Sequence, residues 1–305
     1  MSAMLSKAKS SSQPVGRPPA AVQLAPEGVL AAALTGAGKA HAYAFAPLAA
    51  GALVPGIGET NVRAPESVAD AIRKTLDEVS PRTRAVTLIL PDTAIRVFVL
   101  DFDSLPARTA EVVPVLRFRL RKMVPFDVEH AAVSYQVLPG SKTECRVLTA
   151  VIPGSILAEY EGAVRTAGYE PGTVLSSGLA TLASLDTAEP VLAACLSQSA
   201  LTTSITNGHD LLLYRTLELP LEPGQQLADV QRGIAVAAAF FEDKLGVRPH
   251  RLHFAGTGTA QEFARWINDP ELVVDELVSR PETGALTPLG NMSVAGITGA
   301  LAGAA

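Results

Sequence analysis

Residues Pro106 to Gln136 read PARTAEVVPVLRFRLRKMVPFDVEHAAVSYQ. At about 100° per residue, Val112, Val113, Leu116, Leu120, Met123 and Val124 share one apolar arc. The spacing predicts a helix over Leu105–Val124 that packs on a sheet, kinked at Pro114 where the ring meets the carbonyl of Ala110. Arg117, Arg119, Arg121 and Lys122 lie elsewhere around it, and Phe118 falls between Arg121 and Lys122. An aromatic on the charged side of a helix calls for a second surface, either another part of the chain, the plainer reading, or a partner protein. The helix stops at Val124-Pro125-Phe126-Asp127, with Phe126 expected to lodge beneath it, and the alternating strand Val133-Ser134-Tyr135-Gln136-Val137 follows.

Around this stretch the pattern continues as strand Ile95–Phe102, the helix, strands Ala132–Leu138 and Cys145–Ile152, and a helix Ser155–Ala167 between Pro153 and Gly168. This β-α-β-β-α unit is a small two-layer sandwich. On either side lie two series with the same layout. The first has strands near Ala21–Leu24, Val29–Leu34 and Ala40–Phe45, a helix Pro65–Val79 and a strand Ala85–Leu90. The second has strands near Val191–Leu196, Ala200–Thr206 and Leu211–Leu217, a helix Gln226–Leu245 closed by Gly246, a strand Arg251–Ala255 and a helix Ala260–Ile267. Three meandering strands, a helix and a further strand, twice over, is the layout of duplicated RNase H-like lobes in an α/β protein. The expected division is a tail at 1–19, a first lobe at 20–94, the inserted unit at 95–167, a return to the first lobe at 168–188 and a second lobe at 189–305.

Length and composition agree with two cores. The chain has 305 residues and is 48% hydrophobic, with a net charge of −5 and a pI of about 5.6. That balance argues against nucleic acid as the main ligand. Cys145 and Cys195 lie in separate strands outside any CxxC pair and read as reduced core residues. The polar start, MSAMLSKAKSSSQPVGRPPA, lacks an apolar signal core, and no run reaches the roughly 18 apolar residues of a membrane span.

Three segments together resemble the PilM family of type IV pilus assembly proteins, which are actin-like and related to FtsA. They are Leu105–Leu138, Val147–Val174 (VLTAVIPGSILAEYEGAVRTAGYEPGTV) and Gln226–Gly258 (QLADVQRGIAVAAAFFEDKLGVRPHRLHFAGTG). The resemblance implies an actin-like fold whose inserted unit is subdomain 1C. It implies a cytoplasmic scaffold at the inner-membrane face, bound to the N-terminal peptide of a PilN-like membrane protein, with pilus motor ATPases as a further partner class. Arg117, Phe118, Arg121, Lys122 and Phe126 are the partner-binding candidates.

Actin-like ATPases use two Asp-x-Gly hairpins and a late glycine turn to hold a nucleotide. The first hairpin here reads Gln23-Leu24-Ala25 and the second Ala194-Cys195-Leu196-Ser197, without acid in either. The third survives as Gly256-Thr257-Gly258, a weak signal alone. Only Glu218–Gly224 separates Leu217 from the next helix, which leaves little chain for subdomain 2B. The expectation is a degenerate, non-catalytic member without cofactor or metal. A Mg-ATP-binding ATPase of the same fold and a type II secretion scaffold are the alternatives, ahead of a small-molecule enzyme. Gly36-Ala37-Gly38-Lys39-Ala40 departs from a P-loop at Ala33 and Ala40. His250 and His253 point to opposite strand faces, and Ser176 and Ser177 lack a GxSxG setting.

Overall fold

The computed structural model describes residues 17–34, 41–138, 145–185, 187–220, 222–279 and 292–302. The N-terminal 1–16 and the glycine-rich 36–40, set against a P-loop above, lie outside the described residues.

The first lobe begins with β1 (Ala20–Ala25), β2 (Gly28–Leu34) and β3 (His41–Pro47), an antiparallel meander. Helix α1 (Pro65–Val79) starts on Pro65, which gives up no hydrogen bond in the first turn. It buries Val68, Ile72, Leu76 and Val79. Strand β4 (Ala85–Leu90) then pairs parallel with β1, and β8 (Glu170–Ser176) joins its far side, giving the order β3-β2-β1-β4-β8. The second lobe repeats this with β9 (Pro190–Leu196), β10 (Ala200–Asn207), β11 (Asp210–Glu218), α5 (Pro223–Leu245), β12 (Arg251–Gly256), α6 (Ala260–Ile267) and β13 (Val273–Glu276). Its sheet order, β11-β10-β9-β12-β13, matches the first strand for strand. Gly246 ends α5 at φ +70, a conformation open to glycine at little cost.

Between β4 and β8 come β5 (Arg96–Phe102), α2 (Thr109–Leu120), β6 (Ala131–Val137), β7 (Cys145–Pro153) and α3 (Gly154–Thr166). Their three strands form an antiparallel sheet, β5-β7-β6. Strand alternation gives that sheet two apolar faces. Leu100, Val133, Val147 and Val151 face α2, where Val112, Leu116 and Leu120 complete a core. Val97, Ala132, Ala150 and Ile152 face the other way and join Ile156 and Tyr160 of α3 in the first lobe's core. On that same side Val97, Val99 and Leu148 pack on Leu211 and Tyr214 of the second lobe. Arg146 hydrogen-bonds Asp210 at 2.6 Å and Arg96 pairs with Glu218, which fastens the sheet to β11. The unit is wedged against both lobes, with α2 as its outermost layer.

Several expectations change. Helix α2 is shorter than Leu105–Val124. It starts after the irregular segment around Pro106 and ends in a tightened turn where the Met123 amide donates to the Leu120 carbonyl at 2.8 Å. Met123 therefore leaves the apolar arc and is 40% exposed. The tail expected at 1–19 gives way at Pro19, whose carbonyl accepts from the Leu34 amide at 2.9 Å. The last described helix does not lie in the second lobe. Helix α7 (Ala295–Ala302) packs Ile297, Ala300 and Leu301 on Ala21, Leu30, Ile89 and Ala180 of the first lobe. Its alternation of small and apolar residues carries no amphipathic stripe because it is buried on most sides. Short α4 (Ser177–Leu182), also absent from the expected elements, packs beside it.

Candidate functional site

The lobes meet at a buried polar cluster. Strand β4 runs out through Pro91 into a short 3-10 turn, Asp92–Ala94, and places the Asp92 carboxylate between the sheets. Its Oδ1 accepts from the Gly178 amide at 3.0 Å and the Tyr214 hydroxyl at 3.3 Å. Its Oδ2 accepts from the Thr202 hydroxyl at 2.9 Å. The Tyr214 oxygen also lies 3.2 Å from Ser176 Oγ, and Thr202 Oγ1 lies 3.0 Å from Thr216 Oγ1. Gly178 permits this closeness, since a Cβ there would stand 2.4 Å from the Tyr214 hydroxyl. Burial raises the Asp92 pKa above the ordinary carboxylate range, against the opposing pull of hydrogen bonds from Gly178, Thr202, Ser177 and Tyr214. Burial and the neighbouring Asp92 charge push the Tyr214 phenol well up and the Cys195 thiol up to about 12. A committed carboxylate, a phenol and a thiol that both hold their protons are poor proton-transfer groups. Ser176 is occupied too, its Oγ capping α4 by accepting from the Leu179 amide at 3.3 Å.

The glycine turn after β12 borders a cavity of about 630 Å³, lined by Leu196, Ser197, Thr257, Gly258, Phe263 and Trp266. Both glycines have structural reasons to be there. A Cβ on Gly256 would lie 2.5 Å from the Leu196 carbonyl, and Gly258 has φ +92. Helix α6 is closed by a capping box, in which Glu262 accepts from the Thr259 amide at 2.9 Å and Thr259 accepts from the Glu262 amide at 3.2 Å. At the first-lobe hairpin, Gln23 Oε1 is buried without a hydrogen-bond partner and faces α7, where a Cβ on Gly296 would stand 2.9 Å away. Among the described residues no group of three His, Cys, Asp or Glu is placed to hold a metal ion. His253 in β12 is half-buried, which lowers its pKa against the pull of Asp275.

A second cavity, about 650 Å³, opens between the first lobe and the inserted unit. Ile57, Glu59, Thr60 and Arg63 line one side, and Ser155 and Glu159 of α3 the other. Glu159 Oε2 accepts from the amides of Asn61 and Val62 at 2.7 and 3.0 Å, tying the loop to the helix. Asn61 in turn donates to the Gly56 carbonyl at 2.9 Å and the Tyr160 hydroxyl at 3.3 Å. The loop is thus a braced wall, although its sequence is rich in glycine.

The candidates on α2 lie away from both cavities, on the sheet face opposite the lobes. Phe118 is 69% exposed, and no other part of the described chain covers it, contrary to the plainer expectation. Arg117 donates to the Ala131 carbonyl at 2.9 Å, Arg121 pairs with Glu129, and Lys122 is exposed. Phe126 is half-buried against the core beneath α2. Asp127 accepts from the Glu129 amide at 2.9 Å and meets His130 at 2.6 Å, which holds its pKa below the usual range. Sequence reading missed Asp92, Thr202, Tyr214 and Glu159. A carboxylate one residue past a buried strand, as in Thr87-Leu88-Ile89-Leu90-Pro91-Asp92, was the available signal for the first.

Two sheets of identical order, joined at a buried junction, define an actin-like α/β fold. In structure the chain is similar to a chain of the PilM-PilN type IV pilus biogenesis complex. The TM-score is 0.74 at 18% identity, over 96% of this chain and 100% of that one. It is also similar to the cytoplasmic domain of EpsL, an inner-membrane component of the type II secretion system of Vibrio cholerae, with TM-score 0.52, 12% identity and 92% of each chain covered. A protein of unknown function with an actin-like ATPase fold from Bacteroides thetaiotaomicron gives TM-score 0.53 at 13% identity, over 84% of this chain and 90% of that one. No protein-family model matches the sequence, and no curated protein matches it. Among the described residues no helix is long and apolar enough to cross a membrane.

Proposed function

We propose that the chain is a non-catalytic scaffold of a type IV pilus machine, held at the cytoplasmic face of the inner membrane by the N-terminal peptide of a PilN-like protein. The supporting observation is the likeness to a chain of the PilM-PilN complex over 96% of this chain and 100% of that one. In this reading the wedge from β5 to α3 is subdomain 1C, and subdomain 2B is reduced to the short connection from Glu218 to Pro223. The absent hairpin acids support a degenerate nucleotide site, as do the packing roles of Gly256 and Gly258. An extended peptide fits best in the groove between the first lobe and α3, because that surface is concave and braced by Glu159 and Asn61.

The test is binding of a fluorescent peptide copying the cytoplasmic N-terminus of a PilN-like protein. Saturable one-to-one binding is expected, lost in Ser155→Trp, which fills the groove from an exposed position. Binding that survives Ser155→Trp and fails in Phe118→Ala would move the site to Arg117, Phe118, Arg121, Lys122 and Phe126. Absence of binding, or preference for a type II secretion peptide, overturns the pilus reading. Calorimetry with millimolar Mg-ATP addresses the catalytic status, and saturable micromolar binding would restore the ATPase alternative.

A further inference from the structure

Asp92, Thr202 and Tyr214 hold the two lobes together from within, at the place where they would have to part. Asp92 belongs to the first lobe, just past the interior strand β4, and Thr202 and Tyr214 belong to β10 and β11 of the second. All three are buried. The contact is close on both sides, because Gly178 of the first lobe lies against Tyr214, and a Cβ on it would also stand 3.0 Å from Thr202 Cγ2. A buried carboxylate is costly to desolvate and is kept only where donors surround it. Here the first lobe supplies two donors, the Gly178 amide and the Ser177 hydroxyl, and the second supplies two, the Thr202 and Tyr214 hydroxyls. Opening the lobes would strip two of these donors from a carboxylate still deep in protein, before water could replace them. The wedge from β5 to β7 sits over the same seam, with Val97, Val99 and Leu148 packed on Leu211 and Tyr214. Tyr214 therefore serves both contacts, its ring in the apolar seam and its hydroxyl on Asp92.

We propose that Asp92, Thr202 and Tyr214 form a built-in interlobe clasp that fixes the angle between the lobes without any ligand, so that the two lobes and the wedge move as one body. The clasp is independent of the partner and of the pilus reading. It makes the lobe angle a property of the folded chain.

Distance measurement by pulsed electron resonance tests it, with spin labels on bioorthogonal side chains at exposed Glu66 of α1 and Asp243 of α5. The unliganded protein should give one narrow distance that millimolar Mg-ATP leaves unmoved. The double variant Thr202→Val, Tyr214→Phe keeps the side-chain shapes and removes both second-lobe donors. It should add a second, longer distance. A single Tyr214→Phe change gives the same reading, to a lesser degree, if the double variant fails to fold. Phe263→Ala, which destabilises the second lobe away from the seam, controls for general loosening and should leave the distance narrow. A broad or two-peaked wild-type distribution would overturn the clasp. So would a shift with nucleotide, or clasp variants as narrow as wild type.

Discussion

Asp92 at the lobe junction and Arg121 on the outer helix are both ionisable side chains, yet their surroundings are opposite. Asp92 is buried, and its acceptor positions are filled by an amide and a hydroxyl of the first lobe and two hydroxyls of the second. Arg121 is 57% exposed and pairs with Glu129, itself 50% exposed, in a geometry that water can replace. Desolvation makes the first arrangement costly to break, since losing the carboxylate leaves the buried Gly178 amide unpaired. Solvent makes the second forgiving. Polar residues that look alike in a sequence therefore divide into those that fix the fold and those free to serve a partner.

Cutting Asp92 is the strongest way to probe that contrast. In Asp92→Ala, Thr202 and Tyr214 retain Thr216 and Ser176 as partners, but the Gly178 amide keeps none. One buried orphan plus a small cavity should cost about 2–4 kcal/mol in denaturant unfolding. The pH dependence carries a sign. The folded pKa of Asp92 is raised, so the folded state holds the proton more tightly than the unfolded chain. Its contribution is then fully present below the unfolded pKa of about 4 and lost as pH rises through the folded value. Tyr214 and Cys195, the titratable groups facing it, stay protonated across that window. The stability of wild type relative to Asp92→Asn should fall with rising pH above about 4. A rise would mean that the four hydrogen bonds outweigh burial.

Most strands of the two five-stranded sheets, and those of the three-stranded sheet, were legible in the sequence because their signals are local and repeated. Buried strands such as Ala85–Leu90 and the stripe of α1 are written in consecutive residues. Sequence reading placed α7 in the wrong lobe because nothing in Ala295–Ala302 names its partner, and its contacts with Ala21 and Ile89 span most of the chain. The junction was hidden for the same reason: Asp92, Gly178, Thr202 and Tyr214 are brought together only by the crossing of two sheets. Phe118 was legible as an aromatic on the wrong face, but the expected cover was not found, because the sheet turns its other side to both lobes.

Phe126 tests the boundary between the two regimes. A fully buried phenylalanine loses about 3–5 kcal/mol on truncation to alanine. Phe126 is half-buried at the edge of the core beneath α2. Phe126→Ala should therefore cost about 1–2 kcal/mol, read from the denaturant midpoint with an unchanged slope. A loss in the fully buried range would show that the Val-Pro-Phe-Asp break anchors the wedge. No loss would assign the side chain to a partner.

The smallest expected effect is on the outer helix itself. Phe118 is 69% exposed, and among the described residues Lys122 has no ion-pair partner. Phe118→Ala and Lys122→Glu should each change unfolding free energy by less than about 0.5 kcal/mol. With the peptide seated between the first lobe and α3, neither change should alter its binding, because α2 lies across the sheet from that groove. The near-silence in stability is what gives the pair its value. Either substitution that weakened the peptide while leaving the unfolding curve in place would identify a contact with no folding role. It would also show that the aromatic and its cations are exposed because a partner covers them, and the forgiving side of the molecule would then be its binding side.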